Sequence, residues 1–166
     1  WGQKKYSQSV NAYGYILRNE TLEPYEGEVL LKSIKAHLDS SDYIKARALV
    51  NSGLRIGNLP VPQRNELLRL KLELEKGNLT YQEQLSILSE MYSSAATEQL
   101  KSTYLLKATS IADAISKIED IEIILNDSRM SFVHPGLHYR LGVTSFDKAD
   151  ASRARYHFSR VFSLAP

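Results

Sequence analysis

The sequence contains no cysteine, which excludes disulfides, thiolate-bound zinc and cysteine nucleophiles. It has no apolar run near the roughly 18 residues that a membrane-spanning helix needs, and no charged-then-apolar leader. Asn-Gly and Asp-Gly hairpin turns and alternating strand patterns are missing as well. We expect a folded protein without β-structure, and no insertion of this segment into a membrane.

The sequence also lacks a large excess of charge of either sign, because its formal net charge is only +2. That value is too small to indicate a nucleic-acid partner. The charge is uneven, since the residues from Ser128 onward carry six Lys or Arg against the aspartates Asp147 and Asp150. We interpret this basic end as a solvated helix face. Its basic residues are Arg129, Arg140, Lys148, Arg153, Arg155 and Arg160.

Sequence signatures of catalysis are missing too. No serine lies in a G-x-S-x-G elbow, and Gly53–Gly57 lacks the lysine and hydroxyl of a phosphate-binding loop. The acidic residues Glu119, Asp120 and Glu122 alternate with isoleucines, which predicts an exposed helix face. Because nothing in this spacing predicts two carboxylates converging in a cleft, we expect no enzyme and no catalytic residue.

Four histidines occur, and only His134 and His138 have the four-residue spacing of helical metal ligands. We expect no metal there, because Pro135 should open the helix and leave His134 outside it. His37 and His157 have no partner nearby in sequence and are predicted to be surface or half-buried residues. No cofactor is expected.

Helical periodicity is the main signal that the sequence does contain. Apolar residues recur at spacings of three and four, as in Leu30, Ile34 and Leu38. Short polar or proline-containing breaks, such as Asn126–Ser128, separate the periodic segments. The sequence therefore predicts an all-α protein.

The periodic segments form a repeat. In each copy an opening residue precedes a mostly small residue by three positions, and apolar residues follow four and seven positions later, as in Tyr43, Ala46, Val50 and Gly53. The intervals between successive markers are 37, 38, 37 and 33 residues, the markers being Ser9, Ala46, Gln84, Ile121 and Ala154. A unit of this length holds two helices, and neither buries its apolar face without neighbours. The recurrence predicts stacked helix pairs.

The last copy resembles the tetratricopeptide repeat (TPR), whose pattern is W-x2-L-G-x2-Y, A-x3-F, P. The matching residues, two of which replace the pattern's Trp and Tyr, are His138, Leu141, Gly142, Ser145, Ala154, Phe158 and Pro166. The resemblance implies that Gly142 allows close helix approach and that Ala154 lies at the helix crossing. It also implies that Phe158 reaches the next hairpin and that Pro166 ends the helix.

This resemblance implies stacked antiparallel hairpins in a right-handed superhelix, an α-solenoid. It makes residues 1–166 one domain with units at about 1–22 (partial), 26–58, 63–96, 98–130 and 135–166. The first helices of the units are expected at about Glu26–Ser40, Gln63–Lys76, Glu98–Asp113 and Pro135–Phe146. The recurring tyrosines Tyr6, Tyr43 and Tyr81 are expected to pack at the starts of the second helices.

First helices of TPR arrays line a concave groove that binds a peptide or a helix, which implies a protein or peptide partner. The groove residues expected here are Glu66, Arg69, Glu73, Lys76, Tyr139 and Val143. Their mixed charge favours a polar or charged partner. The Lys, Arg and Asn set that clamps a terminal carboxylate in some TPR domains cannot be assembled, which disfavours chaperone tails.

We therefore expect a scaffold or adaptor that binds without chemistry. The last unit also resembles TPR proteins of Gram-negative cell envelopes, which implies envelope assembly or secretion, in the periplasm or at the outer membrane, with the cytoplasm as the alternative location. Two other functions stay open: a sensory or regulatory module of a signalling protein, and a carbohydrate-binding repeat of a polysaccharide exporter. The start at Trp1 without methionine predicts a piece of a longer protein, and uncapped terminal units predict self-association.

Overall fold

A computed structural model describes residues 8, 9, 11–15 and 26–164 of the chain. Within these ranges the regular structure is entirely helical and no strand occurs, which confirms the all-α prediction. Residues 8, 9 and 11–15 are helical. The helices that follow are α1 (Glu26–Asp39), α2 (Tyr43–Gly53), α3 (Val61–Leu74), α4 (Tyr81–Ser93), α5 (Glu98–Ala114), α6 (Ile118–Leu125), α7 (His134–Asp147) and α8 (Ala151–Leu164), with a 3₁₀ segment at Ser128–Val133.

The four predicted first helices correspond to α1, α3, α5 and α7, and the predicted ends agree within two residues. Polar residues mark several of the helix starts. Thr80 begins α4 with a capping box, in which its hydroxyl accepts from the Glu83 backbone N–H at 3.2 Å and a Glu83 carboxylate oxygen accepts from the Thr80 N–H at 2.8 Å. The described helices include none that is both long and apolar enough to cross a membrane.

Two turns, between α1 and α2 and between α7 and α8, have the same geometry. Ser41 and Ala149 occupy the left-handed region in these turns, each with φ of 60°. The next residue, Asp42 or Asp150, donates its N–H to the carbonyl five residues earlier, at 2.8 and 2.9 Å. Its Oδ1 then accepts from the N–H three residues later, at 3.2 and 3.0 Å. The two helix pairs are therefore joined by the same local structure.

Close contacts divide the chain after Asn78 into two compact units. In the first unit α1, α2 and α3 pack on one another in all three combinations. Their core contains Leu30, Ile34, Ala46, Val50, Leu67 and Leu70. Gly53 lies where the three helices meet, since a Cβ there would stand 2.9 Å from Leu67 Cδ1 and closer still to Leu30 Cδ2. Gly53, at the last position of the repeat pattern, thus permits close packing here.

In the second unit α4 packs on α5 and α6, and α7 packs on α5, α6 and α8. Helix α6 therefore finds its main partners in α4 and α7, although the repeat pattern pairs it with α5. The extended backbone of Ile115, with ψ of 116°, ends α5, and the buried Ile115 side chain anchors this break. The predicted unit 63–96 is divided, because α3 belongs to the first unit and α4 to the second.

In the α7–α8 pair, Gly142 and Ala154 have the close-packed surroundings that were predicted for them. A Cβ on Gly142 would lie 2.7 Å from Cε1 of Phe158, and Ala154 is buried, as expected at a helix crossing. Phe158 differs from the expectation, because it covers Gly142 and lies against Tyr139 of its own pair, with ring centroids 6.1 Å apart. Pro166 lies outside the described residues.

Two of the recurring tyrosines, Tyr43 and Tyr81, do begin second helices, but the packing role predicted for these two is wrong. Tyr43 and Tyr81 are 55% and 37% exposed at the first positions of α2 and α4. Helical side chains lean toward the N-terminus, so a side chain at the first position extends past the end of the helix, where packing is sparse. Tyr6 lies outside the described residues, as does most of the predicted partial unit 1–22.

Candidate binding surfaces

Three of the predicted groove residues form an ion-pair cluster on α3. The Arg69 guanidinium donates through Nε to Glu66 at 2.8 Å and through Nη2 to the other Glu66 oxygen at 2.5 Å. Its Nη1 donates to Glu73 at 2.6 Å. One cation therefore bridges two carboxylates, at helical spacings of three and four.

Electrostatics stabilise this cluster in its charged form. Hydrogen bonding to Arg69 lowers the pKa of Glu66, and hydrogen bonding to Glu66 raises the pKa of Arg69 beyond its ordinary value. Because the three side chains satisfy one another, Arg69 is not a spare cation for a partner. The cluster presents a net charge of −1 on a helix face.

The fourth residue of this group, Lys76, lies past the end of α3 at Leu74 and is exposed. The other two predicted groove residues, Tyr139 and Val143, lie on α7. The six thus fall into two compact units, four in the first and two in the second.

Helix α7 presents an apolar stripe to solvent. Tyr139, Val143 and Phe146 are 57%, 37% and 70% exposed. Their spacing of four and three residues places them on one face of the helix. Tyr139 and Val143 were among the predicted groove residues, and Phe146 was not. Extending the same helical spacing by one turn would have predicted Phe146 as well.

The opposite face of α7 explains why this stripe is exposed. Leu137, Leu141 and Ser145 are buried and face the rest of the unit. Arg140 also turns inward, since its guanidinium donates to the Ala112 carbonyl at 2.5 Å and to the Ile115 carbonyl at 2.7 Å at the end of α5. With these positions turned inward, Tyr139 and Phe146 lie on the remaining face, where more than half of each side chain is exposed within the described residues.

The stripe continues onto α8 through the contact between Tyr139 and Phe158. Phe162 follows Phe158 by one turn and is 83% exposed. Arg155 precedes Phe158 by three residues and is exposed. Helix α8 carries three arginines and no Asp or Glu between Ala151 and Leu164. The apolar stripe is therefore bordered by positive charge.

A cleft of about 450 Å³ is a second feature of this unit, lined by residues of α6, α7 and α8 and by Asn126. His138 and His157 meet in it, with their Nδ1 atoms 3.0 Å apart. All four histidines of the chain are at least 90% buried, so the surface or half-buried placement predicted for His37 and His157 is wrong. His134 is the first residue of α7 and not outside it, and its Nε2 lies 3.1 Å from the Ile124 carbonyl.

Burial is the main cause of unusual titration at the His138–His157 pair. It lowers the pKa of His138 to about 4, with further lowering from the charges of His157 and Arg160. It also lowers the pKa of His157, and Arg153 adds to this effect while Glu122 opposes it. Both imidazoles are therefore neutral at pH 7, so one nitrogen of the contact donates and the other accepts.

Of the acidic residues predicted to be exposed on α6, Glu119 and Glu122 are exposed and Asp120 is half-buried. Glu122 accepts from Arg153 Nη2 at 2.9 Å.

No group of three or more histidines and carboxylates among the described residues is arranged to hold a metal ion. Compared with protein-family models, with curated proteins and with solved structures, the chain has no match in any of the three.

Proposed function

We propose that this chain is a TPR-like interaction module that binds a segment of another protein across the apolar stripe of α7. The exposure of Tyr139, Val143 and Phe146 on one helix face is the observation that carries the proposal. Large apolar side chains at helical spacing match the anchors by which amphipathic segments dock in a groove. Their exposure costs solvation free energy, which a partner would recover on binding.

Charge narrows the class of partner. Arg155 borders the aromatic residues of α8, and no acidic residue on that helix neutralises it. A segment with apolar anchors and flanking Asp or Glu is therefore the occupant that we infer. The side chains of the Glu66–Arg69–Glu73 cluster bind one another, so this cluster contributes less to partner binding than the α7 stripe does.

The TPR-like superhelix with its concave groove is part of the same proposal. It is supported by the packing of α1, α2 and α3, by the shared turns at Ser41 and Ala149, and by the Gly142–Phe158 contact. A role as an adaptor in a bacterial cell envelope rests on resemblance alone and stays a prediction.

The test compares three forms of the chain as bait in a cross-linking capture experiment. Phe146→Ser removes the most exposed anchor of the stripe. Ile44→Ser is the matched control, because Ile44 is 84% exposed on α2 in the other unit. We expect a partner that Ile44→Ser retains and Phe146→Ser loses, with cross-links to α7 or α8 and weaker binding at high salt.

Two results would contradict the proposal. Equal retention by both variants would exclude the stripe as the site. A homodimer in light scattering that dissociates on Phe146→Ser would make a second copy of the chain the occupant. Circular dichroism of each variant verifies that helicity is unchanged.

A further inference from the structure

The cleft at the His138–His157 pair is built from side chains that the α7 stripe does not use. Both imidazoles are only 6% exposed, yet they line an open cleft together with Tyr156. Their Nδ1 atoms pair with each other, and the cleft brings the two rings together with further polar groups, which is the usual form of a ligand site. Arg160 of α8 and Asn126, which follows α6, add groups that donate hydrogen bonds. Glu122, Leu125 and Leu141 form the rest of the lining.

The charges around the cleft favour an anion. Glu122 is the acidic residue of the lining, and its ion pair with Arg153 offsets its charge. Arg160 is exposed and makes no ion pair within the described part of the chain. Its guanidinium therefore adds an uncompensated positive charge beside two imidazoles. A metal ion would meet repulsion from both arginines.

We propose that this cleft binds an oxyanion, a carboxylate or phosphate group, between the Arg160 guanidinium and the His157 imidazole, and that the His138–His157 pair takes up a proton on binding. Burial keeps the pair neutral, aided by the charges of Arg160 and His134 near His138 and of Arg153 near His157, while Glu122 acts in the opposite direction on His157. An anion at this position supplies the missing counter-charge and stabilises the protonated form. By linkage, the affinity rises as the pH falls.

This site is distinct from the α7 stripe. Arg155 and Arg160 are five residues apart, which places them about 140° apart around α8. Arg155 lies near Phe158 on the side of the stripe, and Arg160 faces the cleft. The two arginines therefore form a matched pair: each is exposed on the same helix, and only one should matter for the anion.

Calorimetric titration of the full chain tests the proposal. The probes are inorganic phosphate and a blocked peptide with one glutamate. The pH comparison, at 5.5 and 7.5, uses the peptide, because its carboxylate is ionised at both values while phosphate itself titrates between them, and the two probes are compared with each other at pH 5.5. We expect tighter binding at pH 5.5, with a heat that depends on the buffer's ionisation enthalpy because a proton is taken up. Arg160→Gln and His157→Gln should each weaken binding tenfold or more, and Arg155→Gln by less than twofold.

The comparison of probes identifies the source of the oxyanion. Tighter binding of the peptide points to a carboxylate side chain of a protein, and tighter binding of phosphate to a phosphate ion or group. Equal weakening in Arg155→Gln and Arg160→Gln would reduce the effect to non-specific attraction by surface arginines and overturn the proposal. Absence of binding for both probes, or full affinity in His157→Gln, would also overturn it.

Discussion

The position of a Cβ on Gly142 lies 2.7 Å from Cε1 of Phe158, so the α7–α8 pair depends on the absence of a side chain at that residue. Gly136, in the same helix, has nothing within 4 Å of its Cβ position. The two glycines allow a direct separation of helix propensity from steric conflict.

Alanine substitutions at these glycines should have opposite effects. Gly142→Ala should lower the free energy of unfolding by about 1 kcal/mol, because overpacking outweighs the gain in helix propensity. Gly136→Ala should raise it by about 0.5 kcal/mol. Urea denaturation measures both. Stabilisation by Gly142→Ala would show that Phe158 moves aside without cost.

The turn between α7 and α8 contains a backbone conformation whose strain can be tested. Ala149 has φ of 60°, a conformation that costs L-residues about 1 to 2 kcal/mol and glycine little. After subtracting the larger entropy loss of glycine, Ala149→Gly should stabilise the protein by about 0.5 kcal/mol. Ala151→Gly, in the first turn of α8, should destabilise it. If both variants lost stability, the turn would not store strain.

Arg140 joins α7 to the end of α5 through its two hydrogen bonds to backbone carbonyls. Arg140→Met keeps much of the side-chain length and removes both donors. We expect the free energy of unfolding to fall by about 2 kcal/mol, since hydrogen bonds from charged donors are stronger than average. The Ile115 carbonyl would lose its Arg140 donor, whereas the Ala112 carbonyl would keep the hydrogen bond from the Ile115 N–H. Arg155→Met is the control and should change stability by less than about 0.5 kcal/mol. Thermal denaturation that gave equal midpoints for both variants would contradict this role.

The buried histidine pair predicts a pH dependence of stability. Because the pKa of His138 is about 4 in the folded state and about 6.5 in the unfolded state, the unfolded chain binds more protons between these values. Stability is therefore lost as pH falls from about 6.5 toward 4. The free energy of unfolding should fall between pH 7 and pH 4.5 in both forms, and this fall should be about 2 kcal/mol smaller in His138→Gln than in the unmodified chain. Equal pH dependence in both would contradict the assignment.

Local sequence patterns were sufficient for the helices and for much of the packing. Periodicity located α1, α3, α5 and α7 within two residues, because the spacing of apolar residues follows directly from helix geometry. The roles that the TPR resemblance implied for Gly142 and Ala154 agree with their surroundings, since Phe158 covers Gly142 and Ala154 is buried.

Side-chain partners across helices were the part that the sequence could not supply. The pairing of His138 with His157 joins residues 19 positions apart on two helices, and no single-helix pattern contains it. Arg69 is a different case, because Glu66 and Glu73 lie three and four residues away on the same helix, and this spacing already predicts the ion pairs that the groove prediction left out.

The amino-acid sequence by itself therefore determined the helical class, the positions of the helices and the small residues at their crossings, because these depend on spacings within one segment. Tertiary structure alone decided which side chains remained exposed and which side chains of different helices came into contact. Phe146 stays in solvent while four histidines are buried, since burial depends on the neighbouring helices. The candidate binding stripe and the oxyanion cleft both arise from the tertiary packing of the helices.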